Sequence, residues 1–163
     1  MPKIEFNNIG TIYSPFDELE GMPIQAIGAK GIKGKIHLNE ELKDGLKDLE
    51  GFSHLTLIYH LHEVNSYSLE VKPFLDNKSH GIFATRSPKR PNPIGISVVK
   101  LDSIKDNVVH ISNVDILNGT PLLDIKPYVP QLYEETCNDL RIGWFNEKYQ
   151  NAENIKSDNR FID

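Results

Sequence analysis

Phe52-Ser53-His54-Leu55-Thr56-Leu57-Ile58-Tyr59-His60-Leu61 is a continuous apolar-rich run, of a length that suits a strand covered on both sides. Side chains alternate along a strand, so His54, His60 and, if the strand stays regular to its end, His62 share one face. Working outward, Ile32, Gly34, Ile36 and Leu38 alternate with Lys33, Lys35 and His37, which predicts a half-buried strand over Gly31 to Leu38 with a basic, wet face. Further strands are predicted over Gly81 to Thr85, Gly95 to Leu101 and Val108 to Leu117, and one over Ile4 to Tyr13 interrupted at Asn7-Asn8. Only one short helix opposes them: Asn39 offers an N-cap, and Leu42, Leu46 and Leu49 recur at helical spacing before Gly51. After Pro130 the chain turns polar, and the amphipathic trace of Leu140, Trp144 and Tyr149 predicts a C-terminal helix or clasp. Mainly β structure with closely spaced strands favours a compact barrel or sandwich, and the absence of repeats and heptads excludes solenoids and coiled coils.

The composition agrees with one domain. A chain of 163 residues, 39% hydrophobic and 25% charged, buries a real core without staples, and two full domains would be a squeeze. Cys137 is the only cysteine, which excludes an intramolecular disulfide and a multi-cysteine zinc site and fits a reducing, cytoplasmic compartment. The start Met-Pro-Lys-Ile-Glu-Phe lacks a signal-like pattern and no apolar run reaches the ~20 residues that span a bilayer, so neither secretion nor membrane insertion is expected. A net charge of −5 argues against coating nucleic acid by bulk electrostatics. The average conceals an island from Asn77 to Leu101, where Lys78, Arg86, Lys89, Arg90 and Lys100 meet no acid, leaving −10 on the other 138 residues.

Nucleotide signatures of the Gly-x-Gly-x-x-Gly and P-loop kinds are absent, as is a Gly-x-Ser-x-Gly elbow, and Cys137 sits in a polar tail with no obvious partner. His60-x-His62 is the most metal-like feature, although a cupin-like metalloenzyme needs further ligands, and Glu63, Glu70, His80 and His110 do not complete such a set by spacing. The most unusual stretch is Arg86-Ser87-Pro88-Lys89-Arg90-Pro91-Asn92-Pro93, three cations among three prolines. Proline stiffens the backbone, and a stiff cationic loop binds an anion with little loss of entropy. A second stiff stretch runs from Asp115 through Asn118-Gly119 and Pro121 to Asp124, Pro127 and Pro130, with two carboxylates that either meet a cationic ligand or cap local amides.

Taken in order, Ile9-Gly10-Thr11-Ile12-Tyr13-Ser14-Pro15, Gly51-Phe52-Ser53-His54-Leu55, Gly81-Ile82-Phe83-Ala84-Thr85-Arg86-Ser87, Arg90-Pro91-Asn92-Pro93-Ile94-Gly95, and Gly119-Thr120-Pro121 with Asp124 to Tyr128 resemble the TsaA-like (TrmO) family. The resemblance covers most of Ile9 to about Pro130. It implies a single-sheeted antiparallel β-barrel over 1–135 with a C-terminal extension over 136–163, working as a homodimer. It further implies S-adenosylmethionine as cofactor, bound without a Rossmann fold, and methyl transfer to the exocyclic N6 of N6-threonylcarbamoyladenosine beside the anticodon of tRNA. Carried over residue by residue, the cofactor positions are Pro23, Ile24 and Gln25, then His62 and Glu63, Arg86, Ile96, and Asp115, Ile116, Leu117 and Asn118.

The chain departs from the bacterial pattern at three of these: Ile24 stands for an Arg, Glu63 for a Gln and Asn118 for an Asp. Longer members carry a further C-terminal domain, whereas 33 residues follow Pro130 here. Given the acidic balance, tRNA binding is expected to concentrate on Lys89 and Arg90, aided by Lys126. Glu63 or Asp115 would suit a sulfonium, and His60, His62 and Asp124 are the candidate bases for the weakly nucleophilic target nitrogen. Other readings are the same fold methylating another acceptor or only binding the cofactor, and the cupin-like metalloenzyme using His60 and His62.

Overall fold

The computed structural model describes residues 2–136 and 140–162, so Cys137 lies outside the described residues. Eight strands form: β1 (Gly10–Tyr13), β2 (Lys33–Leu38), β3 (His54–His60), β4 (Glu70–Val71), β5 (His80–Gly81), β6 (Ile94–Lys105), β7 (Val108–Ser112) and β8 (Thr120–Pro127). Six of them close an antiparallel barrel in the order β1-β2-β7-β6-β3-β8, with β8 returning to β1, and β4 and β5 pair separately. Closure leaves the barrel itself without an open strand edge.

Period-2 patterning fills the barrel. Leu55, Leu57 and Tyr59 of β3 point inward with Ile12, Ile36, Val99, Val109, Ile111 and Leu122 from the other strands, all buried. The alternate residues His54, Thr56, Ile58 and His60 face outward, partly covered or exposed, so the histidine face is the outer wall. The twelve-residue β6 serves two partners, pairing Ile94 to Lys100 with β3 and Lys100 to Lys105 with β7, and a register shift between Leu101 and Ser103 lets it curve around the barrel.

Several sequence expectations are corrected. The first strand is confined to Gly10–Tyr13, because Ile4 and Phe6 lie exposed with nothing to pack on and the Asn8 side chain caps the Gly10 N–H at 3.0 Å. Leu42, Leu46 and Leu49 lie not on an α-helix but on two 3₁₀ turns, Glu40–Leu46 and Leu49–Gly51, separated by Asp48 in the left-handed region at φ 66°. Asn39 does not cap them through its side chain, which donates to the Asn8 carbonyl instead. Residues 82–84 make a 3₁₀ turn rather than a strand, since Ile82 turns into a side cluster with Val71 and Phe161 and its carbonyl accepts from both the N–H and the Oγ1 of Thr85. The strand expected to run to Leu117 stops at Ser112, where Asn113 takes a positive φ of 65° and accepts the Gly31 N–H. Conversely, the stretch read as a stiff ligand loop from Pro121 to Pro127 is barrel strand β8; both prolines sit near its ends, where a missing N–H costs least.

The C-terminal segment is the expected clasp, built of 3₁₀ turns instead of a regular helix. It bridges back at Pro23 and Lys156, with Gly21 N–H donating to Ser157 O and Ser157 N–H to Met22 O. Phe161 packs edge-on against Phe74 at 4.9 Å, and the Arg160 guanidinium lies over the Phe74 ring while donating to Pro73 O at 2.9 Å. Leu140 and Tyr149 remain exposed, so of the amphipathic trace only Trp144 docks.

Candidate functional site

A cleft of about 390 Å³ opens where β3 and β6 meet the clasp, within the size range of small-molecule sites. Its floor is the Tyr59 and Gly95 pair, which face each other across the two strands. A Cβ on Gly95 would lie 2.1 Å from Cε2 of Tyr59, so only glycine lets that ring lie flat over the β6 backbone. The Tyr59 hydroxyl then reaches Ser97 Oγ at 2.9 Å, and Ser97 Oγ–H donates to Asp115 Oδ1 at 2.7 Å. Because serine has a single proton and gives it to the carboxylate, Tyr59 must be the donor to Ser97.

This array fixes a carboxylate in a poorly hydrated wall. Burial pushes the Asp115 pKa above its ordinary value, against the opposing hydrogen bond from Ser97 and the charge of Arg86. Burial and the negative Asp115 likewise push the Tyr59 hydroxyl up, so it stays a neutral donor. Arg86 stands exposed at the rim, with Nη2 on Ile96 O at 3.2 Å. Apolar walls come from Pro23, Ile24, Leu61, Phe74, Ile94 and Ile96, and from Trp144, Phe145 and Phe161 of the clasp.

Of the expected cofactor positions, Pro23, Ile24, Gln25, Arg86, Ile96 and Asp115 line this cleft together. His62 and Glu63 follow β3 just outside its lining, 3.4 Å apart as a His–Glu pair. Ile116 is buried in the barrel core. Asn118 holds the neighbouring loop, accepting from Ser14 N–H at 3.2 Å and donating to Asp17 at 2.9 Å; Leu117 O accepts from Thr120 at 2.7 Å. These contacts dock the Asp115 to Asn118 turn on residues 14–17.

Among the basic residues, Arg90 turns inward: Nη1 donates to Thr85 O at 2.9 Å and Ser87 O at 3.1 Å, so it shapes the loop that carries Arg86. Lys126 pairs with Asp124 at 2.8 Å on the outer wall. Neither His60 nor Asp124 lines the cleft, and no group of three metal-type ligands occurs among the described residues. Sequence reasoning missed Tyr59, Ser87, Ser97 and the clasp aromatics as site residues, since a tyrosine in a strand and a serine beside a proline carry no local signal.

A family model described as the tRNA-methyltransferase O N-terminal domain matches residues 11–133. The chain belongs to the TrmO family. A probable S-adenosyl-L-methionine-binding protein of Pyrococcus abyssi is 49% identical over 157 residues, covering 96% of this chain and 84% of that protein. The tRNA (adenine(37)-N6)-methyltransferase of Escherichia coli is 38% identical, over 80% of this chain and 60% of the enzyme. The crystal structure of TrmO from Pseudomonas aeruginosa superposes with a TM-score of 0.71 at 34% identity, covering 88% of this chain and 63% of the other. The chain thus spans under two thirds of those two TrmO-type relatives, and the matched family domain ends before the clasp.

Proposed function

We propose that this TrmO-family chain is an S-adenosylmethionine-dependent methyltransferase acting on the exocyclic N6 of N6-threonylcarbamoyladenosine, beside the anticodon of tRNA in the cytoplasm. The observation that carries the reading is the cleft itself, where six expected cofactor positions meet, among them a rim cation, Arg86, and a half-buried carboxylate, Asp115. The donor set fits a zwitterionic nucleoside: apolar walls for the adenine, Arg86 for a carboxylate and Asp115 for positive charge. Bound there, S-adenosylmethionine supplies an electrophilic methyl group.

The chain's own part is alignment and proton handling. Positive charge on the sulfonium disperses as the methyl leaves, so tight ionic pairing in the ground state would slow transfer, whereas holding the reactants in line speeds it. The Tyr59–Ser97–Asp115 array is suited to that, since every member is fixed by the next. Asp115 replaces His60, His62 and Asp124 as the favoured base, because it alone of the four lines the cleft and burial makes its carboxylate more basic. Lys89 and Lys126 offer phosphate contacts outside the cleft, with Arg90 acting through the loop that it braces. The reading takes the working form as a homodimer, which would double those contacts on one tRNA.

The test is transfer of labelled methyl from S-adenosylmethionine to tRNA with and without the threonylcarbamoyl group. Label confined to the modified tRNA is the expected result. Saturable cofactor binding with no transfer to either tRNA would leave a binding module and overturn the reading.

A further inference from the structure

Ser87 carries the one buried side-chain oxygen or nitrogen without a hydrogen-bond partner among the described residues. The residue is 6% exposed and lines the cleft. Its main chain is fully engaged: Ser87 N–H donates to Thr85 Oγ1 at 3.3 Å, and Ser87 O accepts from Arg90 at 3.1 Å. Pro88 follows, and Thr85 is itself anchored on Ile82 O at 2.9 Å, so the backbone that carries the hydroxyl is held in place. Among the described residues the other buried hydroxyl side chains are satisfied within the chain: Tyr59 on Ser97, Thr85 on Ile82 O, Ser97 on Asp115, Ser112 on Asp102, and Thr120 on Leu117 O.

A buried hydroxyl loses its hydration on folding, and native chains almost always return a partner to it. Fixed main chain, a place in the lining of the cleft and a missing partner together describe a group waiting for one from outside the chain. We propose that Ser87 is a ligand-binding residue of this cleft, its hydroxyl hydrogen-bonding a polar atom of bound S-adenosylmethionine beside Arg86. This deepens the proposed function and rests on it. An unmatched hydroxyl weakens the free protein and strengthens the bound one, so removing it acts in opposite directions on the two states.

The experiment is calorimetric titration with S-adenosylmethionine of the wild-type chain and of Ser87→Ala, together with the melting temperature of each without ligand. Expected are binding about tenfold or more weaker in Ser87→Ala, the scale of one lost hydrogen bond to a polar ligand, and a ligand-free melting temperature equal to or above that of the wild type. Equal affinities in the two proteins would overturn the inference while leaving the proposed function standing. A lower melting temperature with unchanged affinity would overturn it too, by making the hydroxyl structural. No binding by the wild type would remove the proposed function and this inference together.

Discussion

At the residue scale, the site is a problem in placing one carboxylate. Asp115 lies where water is scarce, and Ser97 and Tyr59 hold it in a single orientation through two successive hydrogen bonds. A raised carboxyl pKa has a definite sign in the linkage between pH and folding: the native state binds the proton more tightly than the unfolded chain. Stability therefore falls as pH rises from the ordinary carboxylate value through the raised one. Asp115→Asn removes that charge, and its urea midpoint is expected to exceed the wild type's at neutral pH and to converge with it in acid. The same substitution is expected to cut methyl transfer by about 10²-fold or more and to abolish the acidic limb of the rate profile, the signature of a lost general base. A stability profile of the variant parallel to the wild type's would refute the assignment of this pH dependence to Asp115. Arg90 has a role at this scale that its residue type does not reveal: its Nη1 donates to two carbonyls of its own loop, which braces the segment carrying Arg86.

At the element scale, the clasp holds the cleft's outer wall through one polar cluster. Asp76 is buried and accepts from Lys148, from His80 at 2.8 Å and from the backbone N–H of Asn77 at 2.6 Å. The Lys148 ammonium, then His80, hold its pKa far below the usual carboxylate range. Trp144 stacks on His80 with centroids 4.5 Å apart and donates to Ala84 O at 2.8 Å, one residue before the loop of Thr85 to Arg90. Since the folded pKa of Asp76 is depressed, the stability it contributes is present above the ordinary carboxylate pKa and lost as pH falls through the depressed value. Trp144 is the single tryptophan of the chain, so its fluorescence reports this element alone. Asp76→Asn is expected to red-shift that emission at neutral pH and to speed tryptic cleavage after Arg141 and Lys148, with the far-UV spectrum unchanged. Unaltered emission and cleavage would mean that the apolar contacts of Phe161 and Phe74 hold the clasp unaided.

At the scale of the whole molecule, two cores divide the work. The barrel core runs from Ile12 to Leu122 and includes no residue of the clasp, whereas the smaller cluster of Val71, Ile82 and Phe161 depends on it. A chain ending at residue 139 is therefore expected to keep the barrel's far-UV signal and cooperative unfolding, because closure of β8 on β1 is untouched. It is also expected to lose cofactor binding, since Trp144, Phe145, Ser157, Asp158, Phe161 and Ile162 all line the cleft. Full affinity in the shortened chain, measured by titration, would show that the family domain suffices.

Lys33 to Leu38 was legible in the sequence because period-2 alternation records directly that one face is buried and the other wet. His54 to His60 was legible as a strand from its continuous apolar run, but the covering expected on both sides is present on one, since the outward residues are partly covered and His60 is exposed. The stiff cationic loop and the family strings were legible too, since proline and arginine act through their own covalent geometry. Strand β8 was not, because its prolines suggest a loop until one sees that they fall near the strand ends, where the ladder needs no N–H from them. Nor could the sequence rank its carboxylates and histidines as bases. Burial, hydrogen-bond partners and aim are relations between distant residues, and only the closed barrel brings Tyr59, Ser97 and Asp115 into line, leaves Ser87 without a partner, and folds Trp144 back over the cleft. Sequence by itself determined the class of fold and the family, which depend on local pattern. Tertiary structure decided the chemistry of the site, because solvent exclusion and hydrogen-bond geometry do not exist until the chain has closed.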